Sequence, residues 1–272
     1  MELRDRVAVV TGGASGIGRA LALRFAAEGA RGVAVADLDE VGAQRVADEI
    51  GDQALGAACD AADDGQVAAL IERVRDAFGP VDVFCANAGV ATGMGLEAPD
   101  EAWELTIDVN VRAHVVAARR LMPEWLERGE GYFVSTASAA GLLNQIGDAP
   151  YAVTKAGAVA FAEWLAITYG DDGVRVSCLC PMGVNTPLLR GGLDESGDEG
   201  LGARVVAAAG RLLEPEQVAD DVVEAMRAER FLILPHPEVA EFMRRKGDDH
   251  DRWLLGMRRL QAQVRGSAAG SA

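Results

Sequence analysis

Lysine is nearly missing from this chain. Lys155 and Lys246 are the only lysines among its 26 Lys and Arg residues. Everywhere else positive charge is carried by arginine, so Lys155 asks for a reason. Cysteine is scarce too, with Cys59, Cys85, Cys178 and Cys180 making up the four. None forms a CxxC pair, and each lies in or near an expected strand, where a thiol acts as a small apolar core residue. A disulfide framework and a zinc site are thereby excluded. The three histidines, His114, His236 and His250, show no ligand spacing, and no metal is expected. His114 falls in an apolar helical run and reads as a satisfied core residue.

No stretch of about 18 uninterrupted apolar residues occurs, so a membrane span is not expected. The opening segment, MELRDRVAVV, lacks an apolar signal core, and a cytoplasmic location is the resulting expectation. Positive charge is short overall: 42 acidic residues face 26 basic ones, for a net charge of −16. Such a surface repels phosphate backbones, which argues against nucleic acid and anionic membranes as partners.

What is present is an alternating pattern in 272 residues, half of them apolar. RVAVVTGG reads as a buried strand that runs into a glycine turn. A helix is expected from Gly16 to Glu28, stopping at Gly29. Further strands are expected at GVAVAD, ALGAACD, VDVFCAN, GYFVSTAS, VRVSCLC and FLIL. Helices are expected over 40–50, 63–78, 100–128 (with an interruption) and 150–169. Continuously apolar strands alternating with helices belong to a parallel sheet covered on both faces. The expected fold class is α/β, a doubly wound, Rossmann-type, seven-stranded parallel sheet with helices on both faces. One domain is expected over 1–265, with 187–212 as a mobile substrate loop because GGLDESGDEGLG is rich in glycine and acids. Residues 266–272 are expected to be a disordered tail.

TGGASGIG, Thr11 to Gly18, closes the first strand and opens the first helix. Glycines there let a backbone approach a pyrophosphate, and a helix N-terminus stabilises its charge. Asp37 ends the second strand, where an acid binds the adenine ribose hydroxyls of a dinucleotide. A carboxylate repels a 2′-phosphate, position 15 is Ser, and position 38 is Leu, so NAD(H) is expected over NADP(H). Tyr151 and Lys155 are four residues apart, on one helix face. A tyrosine hydroxyl, with a pKa of about 10, needs a cation nearby to act as a base at neutral pH. A lysine ammonium is a compact point charge that arginine does not replace. Ser138, at the end of the fifth strand, can bond a substrate oxygen in the crevice where ligands sit.

Taken together, TGGASGIG, NAG (87–89), Asn110, Ser138, YAVTK and PMGVNT (181–186) resemble the short-chain dehydrogenase/reductase family over nearly the whole chain. The resemblance implies Tyr151 as general acid/base, Ser138 as stabiliser of the carbonyl or alkoxide oxygen, and Lys155 as the group that lowers the Tyr151 pKa and bonds the nicotinamide ribose. Asn110 would hold a water linking Lys155 to solvent. The cofactor would meet Gly12, Ser15, Gly16, Ile17 and Gly18, then Asp37, Leu38, Asp60 and Ala61. Asn87, Ala88, Gly89 and Val109 would follow, and Pro181, Gly183, Val184 and Thr186 would complete the set with Tyr151 and Lys155.

Residues flanking this chemistry are Leu142, Leu143, Gln145, Met182, Leu188 and Leu189, with Met94 from another loop. They point to an apolar or alicyclic secondary alcohol or ketone. Two other readings are a 3-oxoacyl carrier-protein reductase, which Asp37 and the acidic surface oppose, and a non-catalytic dinucleotide sensor, which would not need the whole Tyr, Lys and Ser set. The segment from His236 to Gln261 is helical and amphipathic, with Trp253, Leu254, Met257 and Leu260 at helical spacing. It serves either its own packing or an oligomer contact. On family grounds a homo-oligomer, dimer or tetramer, is expected.

Overall fold

The computed structural model describes residues 1–269. Among them seven strands form one sheet: β1 (Val7–Thr11), β2 (Gly32–Asp37), β3 (Ala54–Ala58), β4 (Val83–Ala86), β5 (Gly131–Thr136), β6 (Val174–Leu179) and β7 (Leu232–Ile233). The order is β3-β2-β1-β4-β5-β6-β7, and every neighbouring pair is parallel. The expected sheet is therefore found. The helices are α1 (Gly16–Ala27), α2 (Glu40–Ile50), α3 (Asp64–Phe78), α4 (Asp100–Ile107), α5 (Ala113–Arg128), α6 (Ala139–Leu143) and α7 (Ala149–Tyr169). They continue with α8 (Pro187–Asp194), α9 (Leu201–Ala209), α10 (Pro215–Arg227), α11 (Glu238–Asp248) and α12 (His250–Ala269).

Alternation along each strand divides the core in two. On one face Val9, Phe84 and Phe133 pack with Ile71 of α3, Leu121 and Trp125 of α5, and Leu165 of α7. On the other, Val10, Tyr132 and Leu179 pack with Leu21 and Phe25 of α1 and with Val222 and Met226 of α10. Fully burying a side chain of this size contributes about 1.5–3 kcal/mol. Both faces being covered explains why the strands read as unbroken apolar runs. Strand order reverses between β1 and β4, and in such sheets the crevice beyond the strand ends at that point receives ligands.

The interruption expected within 100–128 is a π-helical turn, Asp108–Arg112, which turns Asn110 into the interior. Two expectations are corrected. The segment 187–212 is not a loop: α8 and α9 occupy most of it, joined through 195–200. Its glycines and acids argue for a loop locally, but packing overrides them, because Leu201 and Val205 of α9 are buried with Met257, Leu260 and Val264 of α12. The expected tail at 266–272 is helical through Ala269, as the end of α12; the remainder lies outside the described residues. The Met257 face of α12 thus packs within its own chain, away from the sheet. It lies against α9, with Arg265 paired to Asp198 at 3.0 Å. Leu254 and Leu255 stay half-exposed. Among the described residues no helix is long and apolar enough to cross a membrane.

Candidate active site

A cavity of about 900 Å³ opens over the C-terminal ends of the strands. Its β1–β2 side is walled by Gly12, Ser15, Gly16, Ile17 and Gly18, with Asp37, Leu38, Asp60 and Ala61 beside them. Gly18 is required by close approach, since a Cβ there would overlap the Gly12 carbonyl oxygen. Ser15 caps α1 without a side-chain hydrogen bond, and the first turn holds no acid. The leading N–H groups of α1 therefore have no side-chain partner at the cap, which fits a pyrophosphate. Asn87 holds the turn: its Nδ2 donates to the Thr11 carbonyl at 3.0 Å and its N–H to Thr11 Oγ1 at 3.0 Å. Asp37 accepts from Ala14 N–H at 3.0 Å and Asp39 N–H at 3.1 Å. It does not cap α2, because Asp39 does that by accepting from Gly42 N–H. Leu38 is 74% exposed at the rim. These residues fit the adenosine and pyrophosphate of a dinucleotide.

The β5 side carries the chemistry. Ser138 follows β5, caps α6 by accepting from Ala140 N–H at 3.1 Å, and is buried. Tyr151 stands in the first turn of α7 with Lys155 one turn on, its Nζ 5.6 Å from the ring centroid. Lys155 is 3% exposed and donates to the Thr136 carbonyl at 2.9 Å. Burial brings its pKa down to about 8. Burial pushes the Tyr151 hydroxyl up, the hydrogen bond to Ser138 opposes this, and Asp148 adds to the rise. Burial disfavours the charged phenolate, and the Lys155 ammonium is already bonded to a carbonyl.

Most expected residues line this one cavity, including Ala88, Gly89, Val109, Gln145, Pro181, Met182, Val184, Thr186, Leu188 and Leu189. Three do not. Leu142 packs between α6 and α11, and its carbonyl accepts from Lys246. Gly183 turns its carbonyl to His236 Nε2 at 3.1 Å. Asn110 lies behind the wall: its Oδ1 accepts from Val90 N–H at 2.9 Å, and its Nδ2 donates to the Val90 carbonyl and to Thr154 Oγ1. It ties the loop after β4 to the helix of Tyr151. Residues not foreseen on the wall include Thr92, Gly93, Asp148, Glu195 and Glu199. Of these Asp148 carried a readable signal, an acid before Ala-Pro at a helix start.

His114 is fully buried, with Nδ1 2.9 Å from Ser135 Oγ and Nε2 without a partner. The satisfied core residue is therefore only half satisfied. Burial, then Lys155, draws its pKa from 6.5 to about 3. Its neutral form is favoured by folding, so its contribution to stability is full above pH 6.5 and is lost as pH falls toward about 3. His114→Gln is expected to flatten the fall of the thermal midpoint in that window. An unchanged slope in calorimetry at stepped pH would contradict this.

Residues 6–195 match the family model of the short chain dehydrogenases. The chain is 38% identical over 256 residues to a 1-deoxy-11-beta-hydroxypentalenate dehydrogenase of Streptomyces exfoliatus, covering 92% of this chain and 90% of that one. It is 35% identical over 223 residues to the cis-4-hydroxycyclohexanecarboxylate dehydrogenase of Sinomonas cyclohexanicum, covering 80% and 88%. It superposes with a TM-score of 0.84 and 30% identity on a short chain dehydrogenase/reductase from Burkholderia phymatum in complex with NAD, covering 92% and 96%.

Proposed function

Because the chain belongs to the short chain dehydrogenase family of oxidoreductases, we propose that it is an NAD(H)-dependent enzyme interconverting an apolar or alicyclic secondary alcohol and its ketone. The observation that carries this reading is the convergence of Ser138, Tyr151 and Lys155 on the cavity that the glycine turn and Asp37 also line. The dinucleotide, when bound, supplies the hydride acceptor or donor. Tyr151 takes the alcohol proton in oxidation and returns it in reduction. Proton transfer by a positioned group contributes about 10² to 10⁴ in rate. Ser138 Oγ donates to the substrate oxygen as charge develops there. Lys155 holds its charge at the wall below about pH 8 and, in the oxidised complex, adds to the positive potential that favours the phenolate.

The substrate end supports an apolar partner. Met94, Met182, Leu188, Leu189 and Val206 line it, and Lys155 is the one basic side chain among the described residues of the wall. Arg190 does not line the cavity, so it offers no seat for a carboxylate there. The names of both curated relatives, a pentalenate and a cyclohexanecarboxylate dehydrogenase, are in keeping with an alicyclic carbinol. A homo-oligomer is supported by the half-exposed Leu105 and Ile107 of α4 and by the exposed Val153, Trp164 and Ile167 of α7. Sedimentation is expected to give a multiple of the chain mass; a monomer would count against it.

Appearance of NADH from NAD⁺ with a panel of alicyclic secondary alcohols at mildly alkaline pH tests the function. Turnover is expected. NADH binding with no turnover across the panel would favour a dinucleotide sensor instead.

A further inference from the structure

The cavity wall holds one buried carboxylate that the chemistry above does not use. Among the described residues that line it, Asp37 and Asp60 are half-buried and Glu195 and Glu199 are exposed, whereas Asp148 is 5% exposed. Asp148 caps α7 three residues before Tyr151. Its Oδ1 accepts from Tyr151 N–H at 2.9 Å and from Thr92 Oγ1 at 3.1 Å. Its Oδ2 accepts from Thr92 N–H at 2.8 Å and from Gly93 N–H at 2.7 Å. A backbone bond runs alongside, from Ala149 N–H to the Met94 carbonyl at 2.9 Å.

Both oxygens therefore accept, and each accepts twice. Only a carboxylate without a proton does this; an asparagine would aim an NH₂ at two donors in either orientation. The two groups of donors come from different parts of the chain. One set belongs to the loop after β4, which carries Met94 on the substrate wall. The other belongs to the helix turn that carries the reacting hydroxyl. A simple helix cap needs only the second set.

We propose that Asp148 is a positioning residue: it fixes the 92–94 substrate wall and Tyr151 as one unit, and it keeps a negative charge in the helix turn of the reacting hydroxyl. The inference rests on the oxidoreductase reading of this site. The charge has a chemical consequence. It opposes the phenolate, and so favours the form of Tyr151 that gives a proton to a ketone. The groups around Tyr151 are few. α7 and its cap supply Lys155 and Asp148, the β5–α6 junction supplies Ser138, and the residue after β6 is Cys180. His114 faces Lys155 from α5 and stays neutral, and the α8–α9 segment presents Glu195 and Glu199 to the same cavity.

Asp148→Asn removes the charge with almost no change of size. The rising limb of kcat/KM against pH for alcohol oxidation is expected to move to lower pH by about one unit. KM is expected to rise on the order of tenfold, because the wall and the hydroxyl lose their common anchor. A limb that stays where it was would overturn the proposal, even if the variant were less stable, since a mere cap would lower stability alone. If Asp148→Asn does not fold, Thr92→Ala keeps the charge and cuts one tie. There KM is expected to rise with the limb unmoved, and an unchanged KM would overturn the anchoring role. The Tyr151 hydroxyl is also titrated without substrate, by ultraviolet absorbance as the difference from Tyr151→Phe, with and without Asp148→Asn. A wild-type protein that oxidises no alcohol defeats the functional reading, while the absorbance titration still decides whether Asp148 acts on Tyr151.

Discussion

Tyr151→Phe is expected to lower kcat/KM by roughly 10² to 10⁴, the range that a positioned proton-transfer group supplies, while NADH binding remains. The substitution deletes one oxygen and leaves the ring to pack beside Lys155. Among the described residues, no other group on the wall replaces that oxygen. Ser138 Oγ is a neutral hydroxyl engaged with Ala140 N–H. His114 is behind the sheet end, bonded to Ser135 and held neutral by burial. Lys155 is committed to the Thr136 carbonyl. Stability should be nearly unchanged, because the hydroxyl faces the cavity and not the core. Single-turnover rates with bound NADH check the loss, and fluorescence of the bound nucleotide checks that the site is still filled. Retention of more than a tenth of the rate would remove Tyr151 from the acid/base role.

Replacing Asp37 and Leu38 together is expected to reverse the choice of dinucleotide. In Asp37→Ser with Leu38→Arg, the serine keeps an acceptor for Ala14 N–H, whose partner in the native chain is the Asp37 carboxylate. The arginine replaces an exposed rim side chain, so folding is not taxed. Removing a carboxylate from beside a phosphate and adding a guanidinium changes the relative affinity by about 3 kcal/mol, on the order of a hundredfold in the NAD⁺ to NADP⁺ ratio of kcat/KM. A native protein that already prefers NADP⁺ would contradict the role of Asp37. A variant that loses both cofactors equally would contradict the geometry of the turn.

Legibility in the sequence followed how local the cause was. The buried strands were readable because both faces are covered, so each is apolar throughout. Lys155 stood out because the chain uses lysine so rarely, and its spacing from Tyr151 put both on one face of α7. What the spacing did not reveal was where the ammonium goes. It is drawn to a β5 carbonyl, and burial sets the Tyr151 hydroxyl against ionisation. Asp148 is not singled out in the sequence because two of its partners, Thr92 and Gly93, are 56 and 55 residues away. The α8–α9 segment misled for the same reason. Its glycines and acids describe a loop, and the apolar residues that make it helical belong to α12, more than a sheet strand and two helices later. Leu142 is expected on the wall because it flanks the motifs and Gly183 because it lies within PMGVNT, yet one faces α11 and the other faces His236.

Hydride transfer between a secondary carbinol carbon and a nicotinamide, with Tyr151 handling the proton, is the step we propose for this cavity. The most direct test uses an alicyclic secondary alcohol carrying deuterium on the carbinol carbon, oxidised with NAD⁺ by the native protein. The deuterium is expected to be recovered in the reduced nicotinamide, with its transfer slowed by roughly 10² to 10⁴ in Tyr151→Phe. Ketone formed with the deuterium lost to water, or transfer at more than about a tenth of the native rate without the tyrosine hydroxyl, would contradict this.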